Sequence, residues 1–184
     1  MSSTETSTGP RLVSDSQSEM TEFILPNDAN TLGNLLGGRL MHFIDLTGAM
    51  AAFRHSRTYV VTAAMDHIDF IQPVKVGDLL ILKSRVNRAF TTSMEVGVKV
   101  WVEHRKTGGL LHVASAYLVF VAVDQQGRRV RVPELKPVTA DDIRRFEGAL
   151  RRREYREAEA ARRKQAKQAY AEQKQAELAG ADQG

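Results

Sequence analysis

The sequence predicts an α+β domain in which one antiparallel sheet wraps a single central apolar helix, with a long charged helix at the C-terminal end. Three observations predict it. From Leu40 to Phe53 the chain is apolar or small almost throughout, broken by His42, Asp45 and Thr47. Between Thr58 and Asp124 four strand-like runs alternate with turn residues. Beyond Pro137 the composition changes to Ala, Glu, Arg, Lys and Gln, strong helix formers with little apolar surface.

Each element follows from its residues. Residues 1–19 are rich in Ser, Thr, Gln and Glu with one Gly-Pro, so a disordered N-terminal tail is expected. Met20–Leu25 is a short apolar run ended by Pro26-Asn27-Asp28, which suits a first strand entering a turn. Gly37-Gly38 opens the apolar helix, which ends near Arg54-His55, where cationic side chains suit a helix C-terminus. A helix apolar on every side is expected to be buried. Thr58–Phe70 is the next strand, stopped by Gln72-Pro73. Val76-Gly77-Asp78 is a turn before Leu79–Arg88.

Ser93–Glu103 carries the cleanest period of two. Met94, Val96, Val98, Val100 and Val102 share one face, and Glu95, Lys99 and Glu103 the other. Lys106–Gly109 is a hairpin turn, and Leu110–Asp124 is apolar on both faces, as a central strand is. Thr139 is a good N-cap, followed by Asp141 and Asp142 in the first turn of a helix running to about Leu178. The domain is thus expected over residues 20–137, and the charged helix and tail over 138–184.

Composition bounds the function. The chain has 184 residues, a net charge of +4 and no Cys. Disulfides, thiolate nucleophiles and Cys-based zinc sites are excluded. The N-terminal stretch shows no charged segment followed by an apolar run, and the central helix is too short and interrupted to span a bilayer; a cytoplasmic protein is expected. Five His are scattered without ligand spacing, so no metal is expected. Arg151–Lys167 is basic, but it lacks interleaved aromatics apart from Tyr155. A solvated, charge-laced helix is the expectation there, and nucleic acid is not.

Asp45 is the residue that points to chemistry. No Lys or Arg lies three or four positions to either side of it, so no local ion pair answers the charge. A carboxylate in an apolar helix is costly and is often functional, although a structural, hydrogen-bonded Asp is the alternative. Gly37-Gly38 leave the backbone bare at a helix N-terminus, where free N–H groups favour negative charge; close packing is the alternative. Asn30 can cap a turn. His42 shares the helical side of Asp45, three residues before it.

The ordered set of motifs resembles the hotdog-fold acyl-CoA thioesterases, or acyl-CoA hydrolases. Pro26-Asn27-Asp28-Ala29-Asn30-Thr31-Leu32-Gly33 is followed by Gly37-Gly38 and Asp45. Val61-Thr62-Ala63, Ile68-Asp69-Phe70, Pro73-Val74 and Gly77-Asp78 follow in order. Thr92-Ser93-Met94-Glu95-Val96, Phe120–Asp124 and Val132-Pro133 complete it. The resemblance covers roughly Met20 to Pro137.

It implies a hotdog fold and hydrolysis of acyl-CoA to a free acid and coenzyme A. Asp45 would be the catalytic carboxylate, as base or nucleophile, with Asn30 reaching it from a partner subunit. Gly37 and Gly38 would bind the oxyanion, and Arg88, Thr92 and Ser93 would contact coenzyme A, which enters as substrate and leaves as product with no separate cofactor. A dimer is implied at minimum, with hexamers common in the family. Two departures stand out. Leu36 occupies the position before the paired Gly where many relatives have His, and Asn87–Ser93 replaces the usual Gly-Arg-Thr-Ser run. The rival reading is a hotdog domain that binds acyl-CoA as a sensor, for which a carboxylate at the thioester has no use. Hydratase chemistry, which wants a paired His and acid, is a further rival.

Overall fold

A computed structural model describes residues 9–181, in two compact units, Met1–Phe146 and Glu147–Gly184. In chain order the elements are β1 (Arg11–Leu12), β2 (Ser18–Phe23), α1 (Gly37–Ser56), β3 (Tyr59–Phe70), β4 (Leu79–Ala89), β5 (Ser93–Glu103), β6 (Leu110–Val123), β7 (Leu135–Lys136) and α2 (Ala140–Ala181), with short 3₁₀ turns at Val13–Ser16 and Pro26–Asp28. Five strands form one antiparallel sheet in the order β2-β4-β5-β6-β3. This is the hotdog arrangement, and α1 is the helix it curls around.

The core lies between α1 and the sheet. Leu40, Phe43, Ile44, Ala51 and Ala52 from the helix meet Leu80, Leu82, Val86, Met94, Val96, Val98, Leu118 and Phe120. Burying such side chains contributes about 1.5–3 kcal/mol each, which makes this contact the main stabilising term. Gly48 permits it: a Cβ there would stand 3.1 Å from the Phe120 ring. Thr47 is buried in a helix without cost because its hydroxyl donates to the Phe43 carbonyl at 2.7 Å.

Four differences from expectation have physical reasons. Residues 9–19 are built into the fold, while residues 1–8 lie outside the described residues. Arg11 and Leu12 pair in parallel with Leu135 and Lys136. Val13 is buried, and the Ser16 hydroxyl accepts the Val86 N–H at 3.0 Å. Backbone pairing orders this segment, which composition does not register. The first sheet strand accordingly begins at Ser18. Glu95, on the polar face of β5, is fully buried and accepts a hydrogen bond from the Asn87 amide at 3.1 Å, so the outer face of the sheet is covered there.

The first unit also runs past Pro137 to Phe146. Thr139 caps α2, its hydroxyl accepting the Asp142 N–H at 3.1 Å while Asp142 accepts the Thr139 N–H at 3.0 Å. Asp142 also pairs with Arg85 on β4 at 3.0 Å, and Asp141 pairs with the same guanidinium. Hydrogen bonds from Arg145 and Arg144 hold the Asp141 carboxyl well below the usual carboxylate range. Burial pushes Asp142 up, but hydrogen bonds from Thr139 and Val138 and the charge of Arg85 outweigh it.

Finally, the sheet covers one side of α1. Met41, Leu46 and Phe53 are 40%, 46% and 52% exposed, so the helix is not buried all round within a single chain. β3 is an edge strand with Tyr59 and Val61 exposed beside it.

Candidate functional site

Asp45 lies on the uncovered side of α1, half-buried. Its partner comes from β3: the Thr62 hydroxyl donates to Asp45 Oδ1 at 2.5 Å. The β3–β6 register shifts between Thr62 and Ala64, and such a bulge re-aims a side chain. One carboxylate oxygen is therefore held by Thr62, and the other has no hydrogen bond among the described residues. The lone carboxylate has a non-local partner, which spacing along the helix does not reveal. His42 is exposed and makes a ring contact with Phe43, without a hydrogen bond to Asp45 among the described residues.

Gly37 and Gly38 are the first residues of α1, and both are exposed. Leu36 at the N-cap makes no side-chain cap. Space around Gly38 is open, with nothing within 4 Å of where a Cβ would stand. The Gly37 and Gly38 N–H groups have no hydrogen-bond acceptor among the described residues, and at a helix N-terminus such groups and the helix dipole favour a negative oxygen. A cavity of about 330 Å³ lies beside Gly37, lined by Leu35, Leu40, Phe70, Ile71, Pro73 and Val74 among others.

The loop before α1 is rigidly braced. The Leu25 N–H and the Arg39 guanidinium, at 3.1 and 2.7 Å, hold the Asp28 carboxyl below its ordinary range against the pull of burial. Leu36 N–H donates to the Asp28 carbonyl. Asn30 sits in this loop, exposed. Its Oδ1 accepts the N–H groups of Leu32 and Asn34 at 2.9 and 3.2 Å, an Asx-type turn. Its side-chain amide has no acceptor among the described residues, and no hydrogen bond joins Asn30 to Asp45 within the chain.

Arg88, Thr92 and Ser93 lie elsewhere, where β4 turns into β5. Arg88 stacks on the Phe146 ring at 3.9 Å and donates to the Phe146 carbonyl at 3.2 Å. The turn is tight, with Phe90 N–H donating to the Ser93 carbonyl at 2.8 Å, while the Thr92 carbonyl accepts the Ala122 N–H. Among the described residues no group of three or more His, Asp or Glu could hold a metal ion, and no helix is long and apolar enough to cross a membrane.

The structure and the sequence point to the same relatives. Residues 32–108 match the thioesterase superfamily. An uncharacterised acyl-CoA thioester hydrolase of Bacillus subtilis is 39% identical over 142 residues, 77% of this chain and 83% of that protein. Acetyl-coenzyme A thioesterase of Mus musculus is 35% identical over 73% of this chain, which spans only 25% of that longer protein. Among solved structures, an acyl-CoA hydrolase of Staphylococcus aureus in complex with coenzyme A has a TM-score of 0.83 at 32% identity, covering 89% of this chain and 98% of its own. A hexameric acyl-CoA thioesterase has a TM-score of 0.80 at 37% identity, covering 83% and 98%.

The Staphylococcus aureus hydrolase has been solved with an Asn, an Asp and a Thr each replaced by Ala. Those three positions have the same spacings as Asn30, Asp45 and Thr62 here: fifteen, then seventeen. The chain belongs to the hotdog-fold acyl-CoA thioesterase family of the thioesterase superfamily.

Proposed function

We propose that this protein hydrolyses acyl-CoA thioesters to a free acid and coenzyme A, with Asp45 as the reacting carboxylate. The observation that carries the reading is the Thr62–Asp45 hydrogen bond on the uncovered face of α1, at the spacing of the residues replaced in the Staphylococcus aureus hydrolase. Thr62 fixes the carboxylate rotamer through Oδ1 and leaves Oδ2 for a water or for the thioester carbon. As a base, Asp45 takes a proton from the attacking water; the tetrahedral intermediate then expels the thiolate, which recovers that proton. As a nucleophile, it displaces the thiolate to form a mixed anhydride, which water cleaves to the free acid and the Asp45 carboxylate, the released proton going to the thiolate. Both routes build negative charge on the carbonyl oxygen, and the Gly37 and Gly38 amides answer it. The apolar cavity beside Gly37 suits the acyl chain.

Asn30 has a free side-chain amide and no path to its own Asp45 by hydrogen bonding, which supports its acting in the site of a partner subunit. The exposed Met41, Leu46 and Phe53 beside edge strand β3 support a dimer, because a contiguous apolar patch marks an association surface. A hexameric relative supports further assembly into a trimer of dimers. The β4–β5 turn with Arg88, Thr92 and Ser93 is assigned to the coenzyme A end of the substrate. Coenzyme A enters in the substrate and leaves as product, with no separate cofactor. A chain without Cys suits the reducing cytoplasm. A thiol-release assay over acyl-CoAs of graded chain length tests the reading. Turnover that rises to an optimum chain length is expected; tight binding of every acyl-CoA without thiol release would instead identify a sensor.

A further inference from the structure

His55, one residue before the end of α1, is fully buried and takes no part in the site around Asp45. Three segments of the chain meet at it. Arg11 donates through its guanidinium to the Arg54 and His55 carbonyls at 3.1 and 2.7 Å, which ties the N-terminal segment to the end of the helix. In return the Arg54 guanidinium donates to the Gln17 carbonyl. The His55 ring lies with Nε2 at 2.8 Å from the Pro133 carbonyl, and so holds the chain that follows β6. Arg11 N–H donates to the Glu134 carbonyl at 2.8 Å, and Arg11 and Leu12 pair with Leu135 and Lys136. Residues 11–17 and 130–136 thus form a clasp across the C-terminal end of α1, with Val13 and Leu135 buried in it.

The partners fix the state of the ring. A carbonyl only accepts, so Nε2 carries the proton and the neutral ring presents a lone pair at Nδ1. Nδ1 is buried and has no hydrogen-bond partner among the described residues. It is also the atom that takes the second proton when imidazole becomes imidazolium. That proton would be a buried, charged donor without an acceptor, which is costly.

Burial accordingly pushes the His55 ring below its ordinary range. The Pro133 hydrogen bond opposes the shift, the Arg11 charge adds to it, and the Asp15 charge opposes it. The Asp15 carboxylate is already engaged by the Leu12 N–H at 2.9 Å. Arg54 and Arg57 neighbour the ring on its own helix, and Arg131 and Glu134 flank Pro133. On β4, Arg85 and Arg88 are engaged with Asp142 and Phe146. None of these groups gives Nδ1 an acceptor.

We propose that His55 is a pH-sensitive latch: a proton taken up at Nδ1 in mild acid opens the clasp while the sheet stays folded, and loosens the β4–β5 turn with it. The turn follows because the Val132 N–H donates to the Thr91 carbonyl at 3.1 Å. This second step rests on the thioesterase reading, which gives the turn to the coenzyme A end of the substrate, so opening should raise KM. The sign is set by the lowered ring. The closed clasp has its full stability above the open-state value of 6.5. It loses about tenfold in the opening equilibrium per pH unit below that, until the closed-state value is reached.

Hydrogen exchange on the full-length oligomer, read by mass spectrometry, tests the latch. Protection factors are compared, which removes the intrinsic pH dependence of exchange. Between pH 7 and pH 5.5 the protection of residues 11–17 and 130–136 should fall about tenfold in the wild type, with β5 unchanged. His55→Gln keeps a side-chain N–H for the Pro133 carbonyl but does not titrate, and its clasp should change less than about twofold. An equal fall in both proteins would overturn the proposal, as would no fall in the wild type.

Exchange of the imidazole C2 proton titrates His55 in the wild type itself, so the latch is tested even where the variant does not fold. A midpoint below 6.5 is expected, and one at or above 6.5 overturns the latch. Over the same interval KM for acyl-CoA should rise about three- to tenfold more in the wild type than in His55→Gln. Identical KM profiles would overturn the link to the turn. If the clasp opened as expected but no acyl-CoA released thiol, the thioesterase reading alone would fall.

Discussion

The two faces of α1 are almost equally apolar, yet the chain treats them differently. Ile44 is fully buried against the sheet, whereas Leu46, two residues on, is 46% exposed. The buried face makes the fold. The uncovered face holds Met41, Leu46 and Phe53 beside the half-buried Asp45, so on the proposed reading it joins an association surface to the reacting carboxylate. A carboxylate placed there costs little in the isolated chain, because water reaches it. On the proposed reading a second copy would cover the face, desolvate the carboxylate and strengthen its interactions. The proposal thereby couples assembly and catalysis through one side of one helix.

The sharpest break in that comparison is Asp45→Asn. Asn can still accept the Thr62 hydroxyl and keeps the volume, so thermal stability should hold within about 0.5 kcal/mol. Activity should fall on the order of a thousandfold, in kcat rather than in KM, because the charge acts in the transition state. Thiol release and a melting curve on the same preparation check both halves. Near wild-type turnover would remove Asp45 from the mechanism.

Substitutions on the two faces should fail in different ways. Ile44→Ala opens the core and should cost about 2–5 kcal/mol of stability. Leu46→Glu leaves the core alone and instead places a charge on the association surface. It should give a folded chain of lower mass by light scattering, with most of the activity lost. If Leu46→Glu kept both its assembly and its turnover, the uncovered face would not be an interface.

Thr62→Val probes the contact between helix and strand. It keeps the side-chain shape, removes the hydroxyl and frees Asp45 to change rotamer. A fall in kcat of about tenfold is expected from lost positioning, with far less change in the melting temperature than Ile44→Ala. An unchanged kcat would make the Thr62–Asp45 hydrogen bond incidental.

Mixing tests whether the face is shared. Asn30→Ala and Asp45→Asn protomers are each expected to be inactive. In random mixed dimers half the pairs are hybrids, and one of the two sites in each hybrid has both residues intact, so about a quarter of wild-type activity should return. Proven hybrid formation without recovery would place the whole site within one chain.

How much of this was legible in the residues varied with the kind of force involved. The alternation Met94 to Val102 and the apolar run Leu40 to Phe53 announce their elements directly, because burial on one side sets their period. The paired Gly37-Gly38 and Asp45 stand out for a similar reason: they break the local pattern. The Thr62–Asp45 contact was invisible, since its two residues lie seventeen apart on different elements and nothing but the fold joins them. Arg11-Leu12 and Leu135-Lys136 were missed because a two-residue parallel pairing leaves no period in the sequence, and the Arg11 side chain is held by the distant Arg54 and His55 carbonyls. The exposed half of α1 escaped because apolarity does not say whether a sheet or a second copy of the chain covers it.

The smallest expected effect concerns the C-terminal helix, far in sequence from both faces of α1. Cutting the chain after Phe146 should leave turnover unchanged. The removed residues are mostly charged, Ala or Gln, and the large apolar side chains described among them, Leu150, Tyr155 and Tyr170, are 37%, 70% and 70% exposed. Cutting earlier, after Thr139, is a different experiment. It deletes Asp141 and Asp142, the partners of Arg85, and Phe146, on which Arg88 stacks. Arg85 is 20% exposed, and losing its hydrogen-bonded partners should cost about 1–3 kcal/mol. The two carboxylates have lowered pKa values in the folded chain. Their contribution is therefore complete above the unfolded carboxylate pKa of about 3.9 and is lost as pH falls through the folded values. The chain cut after Phe146 should lose stability in that acid window, and the chain cut after Thr139 should lose less there, starting from a lower level at neutral pH. Thermal melts of both truncations from pH 7 down to pH 2, with thiol release measured at pH 7, check this. Equal stability of the two truncations at neutral pH would show that the first turns of α2 add nothing to the sheet. Loss of activity on cutting after Phe146 would give the charged helix a part in the site.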